Sequence, residues 1–194
     1  IDVLRDQGGT WVSHARLQRP DAVKLGHTVT VKGTVDGLYA NVFAGDPNAF
    51  GHAGVVFHFR VHPFGYQWGP VVQAPVPESN DGYAYDIAFD GEHLVVGSSW
   101  EEQLGVTTGV AYVHDVDGEV FPPSIVLAET LLPDPGQVGT EFGKQVAIDG
   151  DRIAIGAPYT FSNEVAQPGA VYVFRPEIFG NGWQLEDRLM REGG

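Results

Sequence analysis

The sequence predicts an all-β protein, a portion of a β-propeller built from four-stranded antiparallel blades. A pattern of short apolar runs recurs along the chain about every 58 residues, a period typical of one supersecondary unit stacked on copies of itself. The runs are rich in β-branched and aromatic residues and are separated by Gly, Pro, Asn and Asp, which indicates strands. No window shows a long helical stripe, so helices are not expected.

Two separate parts of the pattern define the repeat. Residues 142–148 align with 83–89 and 25–31, and residues 169–173 align with 109–113 and 54–58. A third landmark is a tryptophan near the end of a unit, at Trp11, Trp68 and Trp183, with Phe121 at roughly that place in the middle unit. Because both aligned parts agree on the period, we interpret the chain as a series of similar units.

Each unit is predicted to hold four antiparallel strands. In the last unit we place them near 142–149, 152–158, 169–175 and 182–190. The pairs Asp149-Gly150 and Asp90-Gly91 lie between two apolar runs, where Asp and Gly suit the positive φ of a tight hairpin turn. A lone four-stranded sheet cannot bury both faces, so the units must pack on one another as propeller blades, with a β-sandwich or a solenoid as the alternatives.

The predicted blades occupy residues 25–81, 82–138 and 139–194, and residues 1–24 supply the outer two strands of a partial blade. The chain therefore holds about three and a half blades, whereas closed propellers typically use four to eight. An open fan of this kind exposes strand edges and blade faces. We therefore expect the remainder of a longer polypeptide, further copies or another subunit to complete the structure. Because the chain opens with Ile1 rather than Met, we also expect it to be processed or truncated.

The motifs of the last unit resemble the FG-GAP repeat family, the blades of integrin α-subunit headpieces and of many secreted bacterial proteins. The resemblance lies in Phe142-Gly143, Gly156-Ala157-Pro158 and residues 169–174. The middle unit departs from it with Tyr83-Ala84 and Gly97-Ser98-Ser99, and the first keeps Leu25-Gly26 and Gly45-Asp46-Pro47. The resemblance implies a seven-bladed ring, an extracellular location and ligand binding on the face that carries the long loops.

Charge and composition exclude several classes of function. The net charge of −14, without a basic cluster, opposes binding to nucleic acid. No apolar run has the length of a membrane span, so no membrane insertion is expected. The absence of cysteine removes disulfide and thiol chemistry. The location is predicted from the resemblance, which implies an extracellular protein, secreted or at a cell surface.

The long loops between the second and third strands of the blades are the predicted ligand-binding regions, because binding residues concentrate on loops held by a rigid scaffold. These loops span about 46–53, 98–108 and 157–168. Aromatic rings beside acids and amides can form a platform for sugars or anchors for a protein partner, or they can pack their own loops. The candidate ligand-binding residues are Asp46, Asn48, Phe50, His52, Trp100, Glu101, Glu102, Tyr159, Phe161, Asn163 and Glu164.

The sequence offers one candidate metal site. The calcium loop that the resemblance implies, an Asp-rich hairpin between the first two strands, is missing from all three units, so no cofactor is predicted from it. The candidate for calcium is the cluster Asp115, Asp117 and Glu119, although the pair Asp117-Gly118 explains the turn by itself. His58, Arg60 and His62 alternate along one strand and share a face, which we interpret as a polar face between blades rather than a metal site.

The sequence contains no Gly-x-Ser-x-Gly elbow and no phosphate loop, and its acids and histidines form no recognisable catalytic relay. The predicted function is therefore non-enzymatic: a binding or adhesion module that engages a protein or glycan through its loop face. The first alternative is an assembly subunit whose blades pair with further copies or another chain. The second is a glycan-processing enzyme.

Overall fold

The computed structural model describes residues 1–35, 37–103, 105–135, 137–160 and 169–190. Within these residues the chain forms three four-stranded antiparallel sheets, preceded by a two-stranded hairpin. The predicted all-β fold with four-stranded antiparallel blades is confirmed, and the blades form a partial fan rather than a closed ring.

The hairpin consists of β1 (Asp2–Asp6) and β2 (Trp11–Arg16). Blade 1 consists of β3 (Thr28–Gly33), β4 (Ala40–Asp46), β5 (Val55–His62) and β6 (Gly65–Val72), with a short helical turn, α1 (Ala49–His52), between β4 and β5. This turn was not expected from the sequence.

Blade 2 consists of β7 (Tyr83–Phe89), β8 (His93–Ser98), β11 (Val110–Asp117) and β12 (Ser124–Leu131). Its long loop carries a small hairpin of β9 (Glu102–Gln103) and β10 (Val106–Thr107). Blade 3 consists of β13 (Gln145–Asp149), β14 (Arg152–Ala157), β15 (Ala170–Pro176) and β16 (Trp183–Met190). Each blade is a meander, with strands paired in chain order.

The first strands of the three blades lie side by side at the inner edge of the fan, where β7 contacts both β3 and β13. Asp86 on β7 ties these strands together. Its Oδ1 accepts a hydrogen bond from the Thr28 hydroxyl of blade 1, and its Oδ2 accepts one from the Val146 N–H of blade 3, both at 2.9 Å. A charged acceptor at the inner edge thus fixes the spacing of consecutive blades.

The hydrophobic core lies between successive layers, because side chains alternate across each strand and both faces of blades 1 and 2 are covered. On β5, Phe57 and Phe59 pack toward the hairpin, whereas Val56 packs toward blade 2. On blade 2, Tyr112 packs toward blade 1 and Val113 toward blade 3. The core therefore consists of three clusters, one at each junction between layers.

Candidate functional site

We call the end of the blades that carries the long loops between second and third strands the loop face. The connections between blades end on the same face, since the strands of each blade are antiparallel. A groove of about 290 Å³ opens on the loop face between blades 1 and 2. Its lining consists of Lys24, His27, Pro47, Asn48, His52, Asn80, Gly82, Tyr85 and Trp100.

One wall of the groove is aromatic. The rings of Tyr85 and Trp100 meet edge to face, with centroids 5.6 Å apart, and His27 meets Tyr85 at 4.9 Å. The ammonium group of Lys144, from blade 3, lies 4.3 Å from the Tyr85 ring centroid and 5.0 Å from that of Trp100. Because Lys144 also pairs with Glu141 at 2.9 Å, it holds both rings in place from outside the groove.

The backbone around this wall explains how Trp100 reaches it. Gly82 has φ +69°, and a Cβ added there would lie 3.2 Å from the Trp100 ring, so a larger residue would push the ring away. The Trp100 N–H donates to the carbonyl of Asp81 at 2.9 Å. The indole therefore lies directly on the connection that enters blade 2, with 41% of the residue exposed.

The opposite wall is polar and comes from the loop of blade 1. Asn48 Nδ2 and His52 Nδ1 are 3.0 Å apart. Phe50 and His52 both have left-handed backbone conformations, with φ of 51° and 70°, which non-glycine residues adopt at an energetic cost. This conformation turns His52 toward the groove and leaves Phe50 54% exposed outside its lining.

Asp46 has a structural role in this loop. It is fully buried, and its Oδ2 accepts hydrogen bonds from the N–H groups of Val23 and Lys24, both at 2.7 Å. Its Oδ1 accepts a third from the N–H of Asn48 at 3.1 Å. The Asp46 carboxylate was predicted to contact a ligand, but its oxygens instead accept hydrogen bonds from the backbone that forms the groove.

Glu101 also points inward. Its Oε1 accepts a hydrogen bond from the Tyr112 hydroxyl at 2.5 Å, and burial raises the pKa of the carboxyl group. Glu102 is exposed on β9, and Tyr159 is 44% exposed on the loop of blade 3, but neither lines the groove. Phe161, Asn163 and Glu164 lie outside the described residues.

The candidate calcium residues are not gathered into a binding site. No three acidic or histidine side chains in the described ranges are placed to hold a metal ion. Asp115 and Asp117 are exposed on β11, where Asp115 lies 3.7 Å from the His93 ring and Asp117 accepts the N–H of Glu119 at 3.3 Å. The latter contact is the ordinary side-chain bond of a turn.

His58 and Arg60 lie at the junction between blades 1 and 2. His58 Nε2 is 3.0 Å from Asn41 Oδ1, and burial lowers the pKa of the imidazole to about 4. The Arg60 guanidinium lies 5.3 Å from the ring centroids of both Tyr39 and Phe121. These side chains pack inside the molecule and do not form an open site.

A wider cleft of about 680 Å³ lies on the opposite end of the fan, between blades 2 and 3. Its walls are short turns with the acidic side chains Asp90, Glu92, Asp149 and Asp151. Its tryptophan, Trp183, is only 8% exposed and therefore presents little ring surface to a ligand. We place the candidate site in the smaller groove because exposed rings and amide groups converge there.

The structure brings Asn48, His52 and Trp100 together, and these three residues were predicted from the sequence. Sequence reasoning missed Tyr85, Asn80 and the supporting Lys144. Tyr85 belongs to an inner strand rather than a loop, and only the pairing of blades shows that it reaches the loop face. The signal for Asn80 was available, because the connections between blades were expected on this face.

Two comparisons with known proteins add to this geometry. No curated protein matches the chain. The family model of the FG-GAP repeat matches residues 126–174, which run from within β12 through most of β15. The resemblance seen in Phe142-Gly143 and Gly156-Ala157-Pro158 is confirmed, and the chain contains an FG-GAP repeat at residues 126–174.

Among the described residues, none of the helical segments has the length and apolar character of a membrane span.

Proposed function

We propose that the protein is a non-enzymatic extracellular binding module that engages a glycan or protein ligand through its loop face. The observation that carries the proposal is the groove between blades 1 and 2, where two packed aromatic rings face amide and imidazole groups. Such a combination suits ligands that present an apolar face and hydrogen-bonding groups together.

Contacts within the protein hold the rings of the aromatic wall in place. Tyr85 and Trp100 support each other, and Lys144 packs against both, so little side-chain entropy remains to be lost on binding. Trp100 nevertheless keeps 41% of its surface exposed. A ring that is fixed and half exposed is the usual anchor of a binding site.

The polar wall can orient a bound ligand through hydrogen bonds. Asn48 carries an amide that both donates and accepts hydrogen bonds, and His52 adds a ring nitrogen. Asn80 adds a second amide to the groove from the connection into blade 2. These groups suit hydroxyls of a sugar or backbone groups of a peptide. The FG-GAP repeat supports a non-enzymatic extracellular protein. The absence of cysteine removes thiol catalysis, and the negative net charge favours ligands other than nucleic acid.

The test is a binding screen with the wild-type chain and two tryptophan variants. A glycan array of neutral, acidic and amino sugars and a panel of intact cells serve as probes. Trp100→Ala is expected to weaken the strongest signal at least about tenfold, as for an interface anchor. Trp68→Ala is the matched control, because Trp68 is 50% exposed but lies on the outer strand of blade 1.

Binding that is equally strong in Trp100→Ala and wild type would contradict the proposed site. Incubation of the best oligosaccharide with the protein, followed by mass spectrometry, tests the non-enzymatic part. The oligosaccharide is expected to remain intact, and a shortened product would show an enzyme instead.

A further inference from the structure

On the basis of the binding function above, we propose that the groove between blades 1 and 2 selects a sugar acid, an oligosaccharide whose terminal ring carries a carboxylate. The described residues that line the groove include Lys24, His27 and His52 but no acidic residue. In the whole chain, by contrast, Asp and Glu outnumber Lys and Arg by 25 to 11. A negatively charged ligand group therefore meets no negative side chain in the lining.

Four acidic residues are sequence neighbours of the lining, and the carboxylate of each is bonded inside the molecule. They are Asp46, Asp81, Asp86 and Glu101. Asp46 accepts three backbone N–H bonds, and Asp86 accepts one bond from each neighbouring inner strand. Glu101 accepts a tyrosine hydroxyl. Asp81 is only 7% exposed, and its Oδ2 accepts the N–H of Glu78 at 3.0 Å. The chain thus keeps nearby negative charge out of the lining.

The charges in the lining matter more to a bound anion than the net charge of −14. At physiological ionic strength, exposed charges more than about 8 Å apart are largely screened. The exposed acids Glu78 and Glu102 interact with Asp81 and do not line the groove. Lys24 and the two imidazoles are therefore the charged or chargeable groups that a ligand contacts first.

One turn holds Lys24 and His27 beside the groove. The His27 N–H donates to the carbonyl of Lys24 at 3.2 Å, and Gly26 supplies the left-handed residue of this turn with φ +87°. The Lys24 N–H is fixed by Asp46 Oδ2 at 2.7 Å. In the part of the chain that the structure describes, the Lys24 ammonium forms no ion pair. It is thus held by its backbone and available to a carboxylate.

The polar wall adds a hydrogen-bond donor. The amide nitrogen of Asn48 can only donate, so its contact of 3.0 Å with His52 makes Nδ1 of that ring the acceptor. The neutral imidazole then carries its proton on Nε2, which is a donor for an anionic oxygen. A carboxylate in the groove would accept bonds from an ammonium and an imidazole, and bonds of this charge-assisted kind are the stronger ones.

The size and chemistry of the groove favour a sugar acid over other anions. A volume of about 290 Å³ is small for a ligand site and suits the end of an oligosaccharide rather than a protein surface. The packed rings of Tyr85 and Trp100 offer an apolar wall for the face of a sugar ring. No arginine belongs to the described lining, so the bidentate fork that favours phosphate and sulfate groups is missing.

Isothermal titration calorimetry with matched sugars tests the proposal. The probes are sialyllactose and tri-galacturonate, each beside its carboxyl-reduced form, in which a hydroxymethyl group replaces the carboxylate. The wild-type chain is expected to bind at least one of the two acids about tenfold or more tighter than its reduced form, as for a charge-assisted hydrogen bond. This preference should shrink when sodium chloride is raised from about 0.05 M to about 0.5 M.

Three variants separate charge recognition from binding as such. Lys24→Met is expected to reduce the preference for the acid to about threefold or less and to leave binding of the reduced sugar unchanged. Lys32→Met is the matched control, because Lys32 is an exposed lysine at the opposite end of the fan, and it should keep the full preference. Trp100→Ala should weaken binding of both forms of the sugar, since it removes the aromatic wall.

The outcomes distinguish failure of the sugar-acid proposal from failure of the binding site. Equal binding of acid and reduced sugar by the wild type would overturn the former, as would an unchanged preference in Lys24→Met or tighter binding of a Glu-rich peptide or a sulfated oligosaccharide. The same holds if neither acid binds at about 1 mM, a concentration that detects weak sites. Equal sugar binding by Trp100→Ala and wild type would instead refute the groove as the site.

Discussion

Two glycines at equivalent positions predict opposite responses to the same substitution. Gly97 in blade 2 and Gly156 in blade 3 correspond by strand register. A Cβ added to Gly97 would lie 1.9 Å from the carbonyl oxygen of Gly143 in the next blade, whereas one added to Gly156 would meet nothing closer than the Gln145 side chain at 3.5 Å. The difference arises because blade 3 covers Gly97 and no described residue covers Gly156.

The expected stability changes for Gly97→Ala and Gly156→Ala follow from these distances. The atom that obstructs Gly97→Ala belongs to the backbone of an inner strand, so blades 2 and 3 would have to move apart, and overpacking of this kind costs about 3 kcal/mol or more. For a chain of this size, that cost corresponds to a fall in Tm of about 6–12 °C. Gly156→Ala is expected to be neutral or to stabilise by up to about 1 kcal/mol, because glycine is unfavourable inside a strand.

Differential scanning calorimetry of the wild type and both variants measures these changes. Circular dichroism at 20 °C checks that each variant is folded before heating. Equal destabilisation by the two substitutions would refute the packing described for the blades, as would a Gly97→Ala variant as stable as wild type.

Two other predictions concern buried polar groups. Burial lowers the pKa of both His58 and His114 to about 4, whereas the value in the unfolded chain is near 6.5. Stability from the neutral imidazoles is therefore fully present above pH 6.5 and is lost as the pH falls toward 4. The free energy of unfolding is expected to fall by up to about 3 kcal/mol for each histidine. Urea unfolding at pH 7 and pH 4.5 measures the loss, and His114→Gln should lose less stability between the two pH values than wild type; an equal loss would contradict the assignment. Asp46→Asn replaces a carboxylate that accepts three backbone N–H bonds, and it is expected to lower the free energy of unfolding by about 1.5–3 kcal/mol. The control Asp117→Asn, at an exposed residue, should change it by less than about 0.5 kcal/mol. Chemical denaturation compares the two variants, and similar values would be inconsistent with the role of Asp46.

The strands of the repeat could be predicted from the sequence because each is a local pattern. In blade 3 the expected strands near 142–149, 152–158 and 182–190 contain β13, β14 and β16, and only β15 extends past its expected end, to Pro176. The helical turn Ala49–His52 was not predicted, since a four-residue turn with left-handed residues has no periodicity to detect.

The candidate site was predicted only in part. The loops that contain Asn48, His52 and Trp100 follow from strand order, which determines the end of the blade at which each loop lies. The inward placement of Asp46 and Glu101 was not visible, because both are ordinary acidic residues in a long loop. Their partners, the N–H of Val23 and the hydroxyl of Tyr112, are distant along the chain.

The sequence by itself determined the repeat, the four-stranded unit and the face on which long loops gather, because each depends on local periodicity and turn chemistry. Tertiary structure alone decided which side chains meet across a junction between blades. It placed Tyr85 beside Trp100, enclosed His58 and Arg60, and left Trp11 and Leu189 exposed. The physical reason is that a side chain on a blade becomes buried only when another layer covers it, and no local pattern records which layer does so.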